Sequence, residues 1–460
     1  MDVKLNVVIL AAGKGTRMYS ATPKVLHQIA GRALLQHSLD TAKAVKSSRL
    51  LVVIGHEADK IREAVTEPRV QFILQEKQLG TGHAVQQTLE KLDADAIALI
   101  LYGDVPLIKP ETLRSLVKPL HENSMAVLTC IVPDPGGLGR IIRNSAGAVE
   151  AIVEEKDAST DQKQIREINT GIMAIPVKKL HSWLPLLKTT NAQGEYYLTD
   201  TVAMAVAQGC EIFTSICHDP LEVSGVNNRQ QLAQLERHYQ EQLANQLMLS
   251  GVTLRDPARL DIRGKALIEQ DVSIDINVIL EGKVTIGSNV TIGPNCVIRN
   301  SSIGEGTAIL ANSLIEDSII GMNCSIGPFA RIRPGTQLGD TSKIGNFVEI
   351  KKSTIGKGSK INHLSYVGDS NLGENVNIGA GTITCNYDGA NKHLTRIGNN
   401  VFIGSNSALV APVVIGDGAT IAAGSIITKQ VNTEQLAIAR ARQTNIDDWK
   451  RPVKKPQDVK

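Results

Sequence analysis

The 460-residue chain carries a net charge of +3, with 42% hydrophobic, 21% charged and only 3% aromatic residues. That length exceeds what one hydrophobic core usually supports, so two or three domains are expected. The small charge, with no basic stripe interleaved with aromatics, speaks against a nucleic-acid partner. No apolar run reaches membrane-spanning length and no signal-peptide pattern opens the chain. Six scattered cysteines lack metal-ligand or disulfide spacing, so a cytoplasmic protein with reduced thiols, free of membrane partners, is expected.

Residues 1–226 alternate short apolar strands (Val7–Leu10, Leu51–Ile54, Phe72–Leu74, Ile97–Tyr102, Met125–Ile131) with helical stretches. This pattern predicts a Rossmann-like α/β domain whose ligands lie beyond the carboxyl ends of the strands. Leu232, Leu235, Tyr239, Leu243 and Leu247 fall at helical spacing and predict a linker helix over 227–250.

From 251 to 430 the texture changes. Aliphatic residues recur every sixth position, as Ile262, Ile268, Ile274, Leu280, Ile286, Ile292 and Ile298, and continue with one-residue slips to Ile427. A period of six is neither helical nor that of an open sheet; it predicts a coil of short strands with one aliphatic per flat face pointing inward. Three faces per turn give about nine coils, and each buried aliphatic contributes roughly 1.5–3 kcal/mol. Thr382–His393 lacks the pattern and predicts a projecting loop. The tail, 431–460, is expected to hold a short helix near Glu434–Arg442 before a Pro/Lys-rich end.

The strongest local motif runs from Leu10 through Ala11, Ala12, Gly13 and Gly15 to Thr16 and Arg17, followed by Pro23-Lys24. It is neither a P-loop nor a dinucleotide fingerprint, because no Gly-Lys-Ser/Thr closes it and Met18 stands where a third glycine would be. It does supply backbone N–H groups for a phosphate chain and two cations, Arg17 and Lys24, to neutralise a leaving pyrophosphate. Tyr102-Gly103-Asp104 ends a strand with a carboxylate, an arrangement suited to Mg²⁺ beside nucleotide phosphates. These residues resemble the sugar nucleotidyltransferases, whose pattern is Gly-x-Gly-Thr-Arg followed by Pro-Lys. The likeness extends to the bifunctional bacterial N-acetylglucosamine-1-phosphate uridylyltransferase/glucosamine-1-phosphate acetyltransferase family. It implies UTP recognition by Gln75, Gly80 and Thr81, sugar binding by Gly139, Glu154, Asn169 and Thr170, and Mg²⁺ held by Asp104 and Asn227.

Against the aliphatic background of the repeats, Arg333, Lys351, His363 and Lys392 stand out. Cations beside a histidine suit a phosphorylated substrate with a proton to remove, and a neutral imidazole is the best base near pH 7. The family resemblance implies that His363 is this base and that Arg333, Lys351, Tyr366, Asn377 and Lys392 hold glucosamine-1-phosphate. It also implies that Ala380, Asn386, Tyr387, Ser405, Ala423 and Arg440 contact acetyl-CoA, with the basic tail contributing. The fold it implies for 251–430 is a left-handed parallel β-helix assembled as a homotrimer with sites between subunits. The expected reactions are acetylation of glucosamine-1-phosphate, then uridylylation of N-acetylglucosamine-1-phosphate by UTP, giving UDP-N-acetylglucosamine for cell-wall peptidoglycan and lipopolysaccharide. Two rivals are a monofunctional nucleotidyltransferase with a passive coil, which would not need His363 and its cations, and a silent scaffold, in which Gly-x-Gly-Thr-Arg or Asp104 would be degraded.

Overall fold

A computed structural model describes residues 4–454; residues 1–3 and 455–460, the latter in the predicted tail, lie outside the described residues. The chain divides into two compact units at 244/245, with Ile262–Gly264 rejoining the first.

The first unit is a nine-stranded mixed sheet. Its strands are β1 (Leu5–Leu10), β2 (Arg49–Ile54), β3 (Val70–Leu74), β4 (Ile97–Tyr102), β5 (Ser124–Ile131), β6 (Arg140–Arg143), β7 (Val149–Val153), β8 (Glu167–Pro176) and β9 (Glu211–Cys217). They run in the order β9-β5-β8-β4-β1-β2-β3, with the β6–β7 hairpin attached to β8. β1 pairs in parallel with β2 and β4, and β8 enters antiparallel between β4 and β5. The interior strands β1, β2 and β4 are buried nearly throughout because separate hydrophobic clusters cover the two faces. The sequence pattern marks β1 to β5 and misses β6 to β9, whose burial alternates or breaks at a bulge between Asn169 and Met173. Arg229–Leu249 is helical, as its periodicity predicts.

The second unit is a parallel coil with three flat faces. Thr291–Ile292, Val297–Arg299 and Ser302–Ile303 make one turn, and the next turn stacks on it in register, Ile309 on Ile292, Ile315 on Ile298 and Ile320 on Ile303. Every predicted inward aliphatic is buried except Ile268, which is half-buried. The slips share one location. Those after Ile298, Ile315, Ile350 and Val367 all fall at the corner between the second and third faces, where Asn300, Asp317, Lys352 and Asp369 take φ of 45°, 42°, 45° and 47°. Each of these corners is one residue shorter, and the inward register is kept.

Three expectations need correction. Eleven strands stack on the first face rather than nine, because Thr253–Leu254 and Leu436–Ala437 extend the coil beyond the counted aliphatics. The helix expected near Glu434–Arg442 is absent; Glu434 turns at φ 59° and Leu436–Ala437 pairs with Thr420–Ile421. The predicted loop begins later than Thr382, because Ile383–Cys385 is a strand with Thr384 stacked beneath Leu409 at the inward position. Thr384 is tolerated there because its hydroxyl accepts the Gly368 N–H at 2.8 Å and donates to the Gly368 carbonyl at 3.2 Å. The projecting segment is therefore 386–394, at the same corner as the slips.

Because Ile350 is fully buried and Ile268 is not, Ile350→Ala should lower the unfolding free energy by about 2–5 kcal/mol. Ile268→Ala should cost measurably less in the same denaturant titrations.

Candidate active sites

The carboxyl ends of β1, β3 and β4 open on a cavity of about 620 Å³ lined by Leu10, Ala11, Ala12, Gly13, Lys24, Gln75, Gly80, Thr81, Tyr102 and Asp104. Lys14, Val25, Gln78, Ala84 and Glu195 complete the wall. The backbone ties these segments together: Ala11 N–H donates to Val53, Gly103 N–H to Leu10 and Gln75 N–H to Ile54. Gln75 is buried, and its amide donates to the Gly80 carbonyl at 3.2 Å and to His83 Nδ1 at 3.0 Å. Burial holds the His83 imidazole below its ordinary pKa, which favours the neutral acceptor.

A second cavity of about 260 Å³ shares Thr81, Tyr102 and Glu195 with the first and is lined by Gly139, Glu154, Asn169, Thr170 and Thr199. Burial raises the Glu154 carboxyl pKa against the opposing hydrogen bond from Thr199, at 3.1 Å, and Asp157 and Asp200 raise it further. Burial likewise pushes the Tyr102 phenol up, so it stays protonated.

Between the phosphate-facing turn and this pocket, the Lys24 ammonium bonds the Asp104 carboxylate and lies 3.3 Å from Asn227 Oδ1. Two oxygens thus converge on one cation. A hard divalent ion prefers this donor type and needs only one or two protein oxygens, so Asp104 and Asn227 fit Mg²⁺ chemically. Arg17 is not brought to the cavity; it sits exposed on the short helix Thr16–Met18. Among the residues missed by sequence reasoning, Lys14 and Gln78 lie within motif segments already marked. Glu195, Tyr197 and Thr199 follow no motif spacing and were unreadable without the fold.

On the coil, the second face carries Arg333 just past Arg331–Ile332, Lys351 at the end of Glu349–Lys351, and Tyr366 at the start of Tyr366–Gly368. Glu349 bonds Arg333 at 2.6 Å and raises the guanidinium's already high pKa. The Lys351 ammonium lies against Lys392 and lowers the latter's pKa. Two ammonium groups held together make a site for a multivalent anion. Lys392 reaches this place from the projecting segment, where it pairs with Tyr387 across a small antiparallel bridge. Asn386, at the root of that segment, donates to Asp369 at 2.5 Å.

His363 ends Lys360–His363 on the first face, at the corner leading to the second. Ala380, Ser405 and Ala423 hold the equivalent corner position in later coils, shown by the register Ile361, Ile378, Ile403 and Ile421. Arg440 closes this column by donating to the Ala423 carbonyl at 2.6 Å. His363 and four of the predicted acetyl-CoA contacts therefore share one edge of the prism. Asn386 and Tyr387 lie at the opposite edge of the second face, and Asn377 sits on the first face between Lys360 and Phe402. A single coil does not gather all of them.

A strand-end pocket beside a glycine turn, and a coil that carries a histidine on one face and paired cations on the next, define a two-site transferase. The sequence matches the MobA-like NTP transferase domain over residues 7–167, the GMPPB C-terminal domain over 262–344 and the six-repeat bacterial transferase hexapeptide over 394–429. Bifunctional protein GlmU of Cellvibrio japonicus is 58% identical over 451 residues, covering 98% of this chain and 100% of its own. That of Marinobacter nauticus is 56% identical over 450 residues, covering 98% and 99%. The chain belongs to the bifunctional GlmU family, and its coil is the left-handed parallel β-helix of hexapeptide transferases. Among the described residues no helix is long and apolar enough to cross a membrane.

Gly80 has φ of 110°, and an added Cβ would lie 2.6 Å from the Tyr196 carbonyl oxygen. Both factors predict that Gly80→Ala displaces the segment behind Gln75. Uridine-nucleotide affinity measured by calorimetry should fall by about tenfold or more, corresponding to roughly 1.4 kcal/mol.

Proposed function

We propose that the coil acetylates glucosamine-1-phosphate with acetyl-CoA and that the sheet unit transfers the uridylyl group of UTP to the N-acetylated product. The observation that carries this reading is that each unit holds its own phosphate-directed cations. Lys24 stands beside a glycine turn in one, and the Lys351–Lys392 pair stands on the second face of the other, whose first face ends in His363.

In the sheet unit, a phosphate oxygen of the sugar attacks the α-phosphorus of UTP and the bond to the β-phosphate bridging oxygen breaks, releasing pyrophosphate. The protein's part is positioning and charge stabilisation. Gln75 and Gly80 frame the base. Glu154, Asn169, Thr170 and Gly139 face the sugar hydroxyls and acetamido group, and Lys24 with the Gly13 backbone neutralises the leaving group. Asp104 and Asn227 would hold Mg²⁺, which would screen the phosphate charges. Arg17 acts here only if its exposed segment folds over the bound nucleotide.

In the coil, the sugar amine attacks the thioester carbonyl, His363 takes the amine proton and coenzyme A leaves as the thiol. The column Ala380, Ser405, Ala423 and Arg440 ends at His363, so a coenzyme laid along it presents its thioester to the imidazole. The division of contacts between two edges of one face supports a homotrimer, in which adjacent copies complete each site. The free cysteines support a reducing, cytoplasmic setting. Residues 1–226 are assigned to uridylyl transfer, 227–250 to the linker, 251–430 to acetyl transfer and 431–460 to the coenzyme site. The passive-coil and silent-scaffold alternatives find no support, because both motif sets are intact.

His363→Ala should cut thiol release from acetyl-CoA by about 100-fold or more while sparing pyrophosphate formation, and Asp104→Ala should do the reverse. If either variant leaves both reactions unaltered, the assignment fails. Chelation by EDTA should stop pyrophosphate formation and leave acetyl transfer intact, and light scattering should give three times the 49.4 kDa chain mass.

A further inference from the structure

The His363 side chain is hydrogen-bonded to a residue one coil away: His363 Nδ1 is 3.1 Å from Asn346 Oδ1. We infer that Asn346 is a positioning residue for acetyl transfer, fixing the tautomer and aim of His363. This rests on the reading of His363 as the base.

Four local features converge on that contact. Strands of the first face are two residues long among the described residues, except Lys343–Asn346 and Lys360–His363, which run four and carry the ladder out to the Asn346–His363 pair. Gly345 permits this approach, since a Cβ there would collide with the Asn362 carbonyl. The Leu364 N–H donates to the Asn346 carbonyl at 3.1 Å, tying the two corners together. The corners themselves are unusual. Equivalent positions in other coils are Asn312, Gly381, Asn406 and Gly424, but Phe329, Phe347 and Leu364 hold left-handed φ of 56°, 56° and 47° here. Bulky residues in that region cost about 1–3 kcal/mol each, and such strain persists where the surroundings fix it, often at functional sites. Phe329 and Phe347 stack at 5.2 Å, which holds the Asn346 corner rigid.

An amide oxygen accepts only, so Nδ1 must carry the hydrogen and Nε2 keeps its lone pair. When the amine loses its proton to Nε2, the imidazolium retains the Nδ1–H bond to Asn346. A neutral amide orients the ring without adding negative charge beside an anionic substrate.

In the full-length enzyme, Asn346→Ala should lower kcat for acetyl transfer by about 10-fold to 100-fold, with KM for both substrates within twofold and uridylyl transfer unchanged. In the His363→Ala background it should cause no further loss, because the two act as a unit. Asn346→Asp preserves the side-chain shape. Its carboxylate should raise the imidazole pKa and move the acidic limb of the pH profile upward by about one unit. Unaltered kcat in Asn346→Ala, an equal further loss in the His363→Ala background, or an unmoved acidic limb in Asn346→Asp would each overturn the inference. Full activity in His363→Ala would instead bring down the assignment of the base.

Discussion

Everything the coil does depends on in-register stacking of its inward aliphatics. Once Ile361, Ile378, Ile403 and Ile421 are fixed above one another, any residue at a constant offset from them must form a column on the outside. Two places after the inward residue of the first face, the column runs Asn346, His363, Ala380, Ser405 and Ala423. One place after that of the second face, it runs Glu281, Arg299, Glu316, Arg333 and Lys351. In the upper part of this second column the sign alternates, and Arg299 bonds Glu281 at 3.0 Å and Glu316 at 2.9 Å. At Arg333 and Lys351 the alternation stops. Like charges on adjacent strands are unfavourable, and Lys392 adds to them, so excess positive charge accumulates where an anion would relieve it.

The sheet unit reaches a similar end by other means. Parallel strands β4, β1, β2 and β3 lie side by side in that order, and the segments that follow β1, β3 and β4 line the cavity. Cation and carboxylate are paired there rather than segregated: Lys24, Asp104 and Asn227 already satisfy one another. Any anion entering the cavity has to compete with Asp104 for Lys24. In the coil Arg333 is paired with Glu349 while Lys351 and Lys392 lie against each other, whereas the sheet unit holds Lys24 between a carboxylate and an amide oxygen.

What could be read from sequence follows from these differences. The hexad is a one-dimensional signal, so the flat faces and the inward residues are legible in the sequence. So are the residues of contiguous motifs that the structure brings to one cavity: Leu10 to Gly13, Gln75 to Thr81 and Tyr102 to Asp104. Glu195, Tyr197 and Thr199 were not, because only the tertiary fold carries them from a loop far along the chain to the second cavity. Arg17 was read into the site from its neighbours in the motif, but the short helix Thr16–Met18 leaves it exposed. Asn346 escaped because a lone Asn at a solenoid corner is ordinary; its meaning lies in a contact one coil away.

The corner between the second and third faces explains how such a regular coil acquired an irregular site. No inward side chain sits at that corner, so a residue is lost there without disturbing the stack, as at Asn300, Asp317, Lys352 and Asp369. Adding residues is equally harmless to the stack, and the segment 386–394 enters between Ile383–Cys385 and Thr395–Ile397 while Thr384 and Ile397 keep their inward places. The added chain brings Tyr387 and Lys392, and Asp388 stiffens it by accepting from the Ala390 and Asn391 backbone at 2.8 and 2.7 Å and from His393 at 2.6 Å. Those bonds hold the Asp388 carboxyl well below the usual carboxylate range. The same corner that absorbs deletions without disturbing the core thus carries the one insertion that delivers a third cation to the second face. The core's indifference to corner length is what made room for that chemistry.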